Sequence, residues 1–171
     1  MSIKIIKPGV SATLQDTGRS GHRGIGIGSG GAMDMFAMKV ANFLCGNDES
    51  EAVIEINFPA PEILFEQDAI ISITGADFSG YINATAVSPW RTLYVKKNTV
   101  LKFRQPISGA RSYLAVQGGW QVEKWLGSYS THLKLGTGGL FGRALQKEDR
   151  IHVCNGCYGM AHTFYPIRAG Q

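Results

Sequence analysis

Residues 15–47 read QDTGRSGHRGIGIGSGGAMDMFAMKVANFLCGN, and this stretch limits the fold more than any other. Between positions 18 and 31 glycine recurs too often for a regular helix or strand, because each one adds backbone freedom that ordering must remove. An ordered loop is expected there, with short β pieces at 24–27. A helix follows. Phe36, Ala37, Val40, Ala41, Phe43 and Leu44 recur at the three-to-four spacing of one helical face. Asp34 stands where an acid caps free backbone N–H groups and opposes the helix dipole. Gly46-Asn47 supplies the stop.

The rest of the chain reads as strands. Ile3, Ile5 and Ile6 alternate with lysines until Pro8-Gly9, and 10–14 forms a second extended piece. Short β-prone runs follow at 52–58, 62–65, 69–74, 80–82, 91–95 and 100–103. RSYLAVQ at 111–117 is the best interior strand, and 144–153 is expected to supply the last one. Many short strands around one helix predict a sandwich or barrel. With 171 residues, 44% of them hydrophobic, the chain can bury a sizeable core. The expected division is a β-rich region over 1–153 and an irregular tail over 154–171.

The net charge of +4 is spread thinly, which argues against a nucleic-acid interface and leaves anionic small molecules as partners. No apolar run approaches the ~18 residues of a membrane-spanning helix. The opening MSIKIIKPG is too short and too soon broken by Pro8 for a signal peptide, so a cytoplasmic protein is expected. Cys45, Cys154 and Cys157 form no disulfide framework.

Several groups carry chemistry. Asp16, Arg19, His22 and Arg23 fall within eight residues of the glycine-rich loop. A guanidinium fork suits a carboxylate, and an imidazole or aspartate moves a proton; the alternative is a turn aspartate with solvated arginines. Residues 26–31 satisfy G-x-G-x-x-G, but no buried parallel strand precedes them and no βα units follow, which argues against a dinucleotide site. Asn42 is expected as a buried amide between helix and sheet. Glu55 faces away from Ile54 and Ile56 and is expected in water. Cys154 and Cys157 with His152 and His162 offer enough ligands for a zinc ion, against the plainer reading of a reduced tail. Trp90, Trp120, Trp125 and Tyr129 read as core or rim aromatics.

The ordered set of motifs resembles a known family. P-G-x-x-x-T-x-Q-D-x-G-R-x-G at 8–21, G-A-M-D at 31–34, A-N-x-L-x-G-N at 41–47 and E-x-x-x-x-x-P at 55–61 are similar to the allophanate hydrolase subunit 2-like proteins. T-G-A-D at 74–77, Y-L-A-V-Q-G-G at 113–119, L-G-S-x-S-T at 126–131 and G-G-L-x-G-R-x-L at 138–145 continue the match. That group includes the third subunit of bacterial 5-oxoprolinase, the Kip antagonist and part of the carboxyltransferase region of urea carboxylase. The resemblance implies a mainly β, cyclophilin-like β-barrel with one prominent helix, corresponding to the first half of the family's chain.

It also implies an ATP-dependent 5-oxoprolinase-type subunit acting on an amide or lactam. The implied partners are a cyclophilin-like allophanate hydrolase subunit 1-like chain and an ATPase or lactam-binding subunit. The alternatives are a non-catalytic Kip antagonist-like regulator and a component of a biotin-dependent carboxyltransferase. ATP would then act through the complex, and biotin would arrive on another chain, since Phe36-Ala37-Met38-Lys39 only distantly resembles a carrier motif. Both chemistries need an oxyanion clamp and a proton-handling group. Asp16, His22 and Asp34 are therefore the catalytic candidates, and Arg19, Arg23 and Arg143 the substrate-binding ones. The family tends to have glycine where Glu148 stands.

Overall fold

The computed structural model describes residues 1–154 and the backbone of a short strand at Ile167–Arg168. The chain is mainly β with one prominent helix. Its strands are β1 (Ser2–Lys7), β2 (Ala12–Gln15), β3 (Val53–Ile56), β4 (Glu62–Phe65), β5 (Ala69–Asp77) and β6 (Gly80–Ile82). They continue with β7 (Thr85–Ala86), β8 (Arg91–Val95), β9 (Thr99–Phe103), β10 (Ser108–Val116), β11 (Arg150–His152) and β12 (Ile167–Arg168), and α1 spans Met35–Cys45. One six-stranded sheet runs β11-β1-β4-β9-β6-β7 and the other β12-β8-β5-β10-β3-β2. Pairings are antiparallel except between β12 and β8.

Strand periodicity sorts the side chains into two cores. Ile54, Ile56, Leu114 and Val116 join Ile3, Ile5, Phe65 and Ile71 in the main cluster of buried residues. The alternate residues Val53, Tyr113 and Ala115 cluster with Ala37, Met38, Ala41 and Cys45 of α1. The helix thus covers the second face of the β10 sheet. Hydroxyls of Ser72, Thr74 and Thr92 donate to the carbonyls of Ala41, Ala37 and Leu44 at 2.6–2.7 Å. Such close approach demands small side chains on the helix. The buried face is accordingly Ala37, Met38, Ala41, Asn42 and Cys45. The expected face is therefore corrected in part: Phe36 and Phe43 point outward, 71% and 48% exposed. Asp34 caps the helix by accepting from the Ala37 N–H, and Gly46 ends it at φ 70°.

Other expectations also change. Residues 24–27 hold no strand, since a single 3₁₀ turn occupies Arg23–Ile25. Of 144–153, only Arg150–His152 is a strand, because the Arg143–Asp149 ion pair bends the chain before it. Glu148 sits there at φ 73°, a conformation that glycine adopts without penalty.

Glu55 is buried rather than solvated, because the face opposite Ile54 and Ile56 lies under the lead-in to α1. Its carboxylate accepts from the Met33 N–H (2.8 Å), the Tyr113 hydroxyl (3.1 Å) and Arg111 Nε (3.2 Å). The Tyr113 oxygen in turn accepts the Asp34 N–H at 2.8 Å. Burial pushes the Tyr113 hydroxyl well above its ordinary pKa, so it remains a donor. Glu55→Ala leaves all three donors unpaired and is expected to destabilise the fold by about 2–4 kcal/mol, with Glu55→Gln losing less. Urea unfolding with an unchanged m-value checks this.

Candidate functional site

The glycine-rich loop is built as a long hairpin. Its neck pairs 16–19 with 29–32: the Ala32 N–H donates to the Asp16 carbonyl, and the Arg19 N–H to the Ser29 carbonyl. Gly18 and Gly31 cross at this neck with φ of 83° and 98°, and a methyl group on Gly18 would lie 2.8 Å from the Ser29 carbonyl oxygen. Only glycine fits such an approach.

Asp16 fastens the neck to a distant segment. Its Oδ1 accepts from the Gly18 N–H (2.7 Å), the Ser128 hydroxyl (2.7 Å) and the Ser130 hydroxyl, and its Oδ2 from the Tyr129 N–H (2.6 Å). Four donors fill the acceptor capacity of this buried carboxylate. The segment 128–131 is further tied by the Thr131 N–H to the Leu14 carbonyl.

Arg19 lies where the two segments meet. Only 3% of it is exposed, and its guanidinium stacks over Trp125 at 4.7 Å. Nη2 donates to the Ser130 carbonyl, while Nε and Nη1 are buried with no protein partner. Gly30 packs so tightly that a methyl group there would lie 2.9 Å from Nη1. Burial lowers the guanidinium pKa and the nearby Asp16 charge partly restores it; an arginine remains cationic under both influences. Arg19 also lines a cavity of about 440 Å³ with Ser20, Gly21, Arg23, Gly24 and Ser29. Two unused donors on a buried cation beside a cavity form a receptor for an anion or a carbonyl oxygen.

Of the residues singled out in sequence, Arg19 and Arg23 come together. Arg23 lines the same cavity, with Nη2 donating to Ser29 Oγ at 3.3 Å. His22 is half-buried, and its carbonyl accepts the Ile25 and Ile27 N–H groups at the loop tip. Asp34 is exposed at the start of α1. Arg143 pairs bidentately with Asp149 at 2.7 and 2.9 Å, apart from the residues lining the cavity. That pair holds the Asp149 carboxyl below its ordinary value of 3.8, the Arg143 hydrogen bond being the main cause. A depressed folded-state pKa adds stability above the unfolded value that disappears as pH falls through the folded one. Asp149→Asn is thus expected to lower Tm at pH 7, with the gap to wild type closing in acid below about pH 3.

Asn42 is buried and donates to the Glu51 carbonyl at 2.8 Å. Met38 is buried in α1 and Lys39 pairs with Glu49, so residues 36–39 form helix rather than a carrier turn. Cys157 and His162 lie outside the described residues, and no group of three or more metal-ligating side chains occurs among the described ones. No helix among them is long and apolar enough to cross a membrane. Trp120 is core, Trp90 is exposed, and Trp125 walls both Arg19 and a second groove of about 540 Å³ bounded by 136–142. Sequence reasoning missed Ser128, Ser130 and the Glu55–Tyr113 pair, though both serines stand in the L-G-S-x-S-T motif that it used.

Comparison with known proteins agrees with this geometry. Residues 25–164 match the family described as carboxyltransferase domain, subdomain A and B. The chain is 43% identical over 152 residues to the third subunit of 5-oxoprolinase from Escherichia coli K12, covering 88% of this chain and 49% of that one. It is 35% identical over 153 residues to urea amidolyase of Saccharomyces cerevisiae, covering 89% of this chain and 8% of that one. The crystal structure of Kluyveromyces lactis urea amidolyase superposes with a TM-score of 0.86 at 28% identity, over 98% of this chain and 10% of that one. The chain thus spans about half of one curated relative and a small part of the others. By sequence and by fold, it belongs to the carboxyltransferase domain family, subdomains A and B.

Proposed function

We propose that this chain serves a 5-oxoprolinase-type assembly, binding the carboxylate of a small amide or lactam at Arg19 and Arg23. The observation that carries the reading is the buried Arg19 guanidinium, with Nε and Nη1 unpartnered beside a cavity. A buried cation attracts an anion far more strongly than an exposed one, because little water competes for it. Arg19 is the principal donor and Arg23 the outer one. Asp16 positions both walls of the cavity, its lone pairs being already engaged, and His22 and Asp34 shape the loop at its tip and base. Arg143 holds the 143–149 turn. The likeness to the third 5-oxoprolinase subunit supports the substrate class, and the relatives' greater length supports a need for further subunits or domains. ATP enters such chemistry through those partners.

The family description and the likeness to urea amidolyase favour a second reading, a carboxyltransferase component served by biotin on another chain. Here the same cavity would take the acceptor amide. Reconstitution separates the two. Native partners are captured with the tagged chain, and 5-oxoproline-dependent phosphate release is measured in the eluate. Phosphate release lost in an Arg19/Arg23 double variant supports the hydrolase. Carboxylation of an amide in the presence of a biotin protein supports the transferase. Partner capture with neither activity overturns both and leaves a Kip antagonist-like regulator.

A further inference from the structure

The segment that carries Ser130 continues to His132, whose chemistry the cavity reading leaves unused. The imidazole is fixed at one nitrogen, since Nδ1 accepts the Leu135 N–H at 3.2 Å. In the neutral ring the proton then resides on Nε2, which becomes a hydrogen-bond donor. No described residue hydrogen-bonds to Nε2. That nitrogen faces Gly28, where an added methyl group would lie 3.6 Å from it, and Gly28 is exposed.

Two contacts define how this ring stands relative to Arg19. Gly30 lies against Ser130 and Arg19 Nη1, and Gly28 lies against His132. The pairs 30/130 and 28/132 have a constant sum, so the two segments run side by side in opposite directions. The Cα atoms of Gly28 and Gly30 are at most about 7 Å apart. The guanidinium and the imidazole therefore flank one short stretch of glycine-rich backbone, with a cationic donor at one end and a neutral donor at the other. A small ring with a carboxylate on one side and an amide carbonyl on the other suits that spacing.

We propose that His132 Nε2–H donates a hydrogen bond to the amide carbonyl of a carboxylate-bearing lactam whose carboxylate is held by Arg19. The inference rests on the Arg19 reading of the cavity and adds the group that recognises the other end of the ligand. Gly28 has its own part in it, leaving Nε2 uncovered so that the ligand's oxygen reaches the donor. Because Gly28 lies outside the left-handed region, alanine is tolerated there by the backbone and acts as a local plug.

The test uses 5-oxoproline as probe, followed by calorimetry and by long-range proton–nitrogen NMR of the imidazoles. The His132 signals are assigned by their loss in His132→Gln. In wild type the Nε2 resonance is expected to shift on titration, and in Arg19→Met to stay still. Gly28→Ala and His132→Ala are each expected to weaken binding roughly three- to tenfold, the size of one neutral hydrogen bond. His132→Gln, which keeps an N–H donor at similar reach, restores most of the loss, whereas Lys134→Ala in the same exposed turn changes nothing. Calorimetric binding that leaves His132 unmoved and tolerates Gly28→Ala overturns this proposal and leaves the Arg19 reading standing. No binding of 5-oxoproline overturns both.

Discussion

Arg19→Met is expected to weaken 5-oxoproline binding by at least a hundredfold while leaving the fold intact. The methionine side chain keeps most of the packing against Trp125 and Gly30 but removes Nε and Nη1, the two donors that no protein group uses. Two charge-assisted hydrogen bonds at about 1.5–3 kcal/mol each correspond to a loss of roughly 10²–10⁴ in affinity. Stability moves much less, because losing the bond to Ser130 is offset by removing a poorly solvated cation. Arg19→Lys preserves the charge but not the planar fork and is expected to fall between the two. Calorimetry paired with thermal unfolding separates the effects. Unimpaired binding in the methionine variant would remove the basis for placing a ligand in this cavity.

Asp16→Ala shows the opposite balance, a large loss of stability that takes binding with it. Four donors converge on this carboxylate, and its removal strands two serine hydroxyls and two backbone N–H groups in a buried setting. The expected loss is about 3–5 kcal/mol, as for breaking other buried charged networks. In a chain of this size that lowers Tm by roughly 6–20 °C. Asp16→Asn retains the shape and part of the acceptor capacity, so about half that loss is expected. The asparagine variant, assayed well below its Tm, distinguishes a fastening role from proton transfer. Activity that persists there fits the fastening role, and activity that vanishes while binding survives would make Asp16 a proton-transfer group.

The strands were legible in the sequence because alternating burial writes a period of two into it. RSYLAV in β10 and VIEI in β3 show it most clearly. The helix was legible, but its orientation was not. Hydrophobicity favoured Phe36 and Phe43, whereas the hydroxyls of Ser72, Thr74 and Thr92 draw the sheet so near that only small residues fit between. Glu55 was misjudged for a related reason. Strand parity located its face correctly, yet whether that face meets water depends on a helix lead-in that parity does not encode. Arg19 and Arg23 stood out by residue type beside a flexible loop. His132 did not, because its relation to Gly28 arises from two segments laid alongside each other, and nothing in either segment announces the other.

The fastening of Asp16 to Ser130 spans 114 positions of chain. Chain closure over such a distance is slow compared with local structure, so contacts of this kind form late. A ribosome delivers Arg19 and the glycine-rich loop early, and they then wait for most of the domain to emerge before their other wall exists. The nascent protein is therefore without a receptor until translation is nearly over, and ligand can act as a chaperone only at that last stage. By the same logic, two separately made pieces divided in the exposed turn at 133–136 should each lack affinity for ligand and recover it only on reassociation.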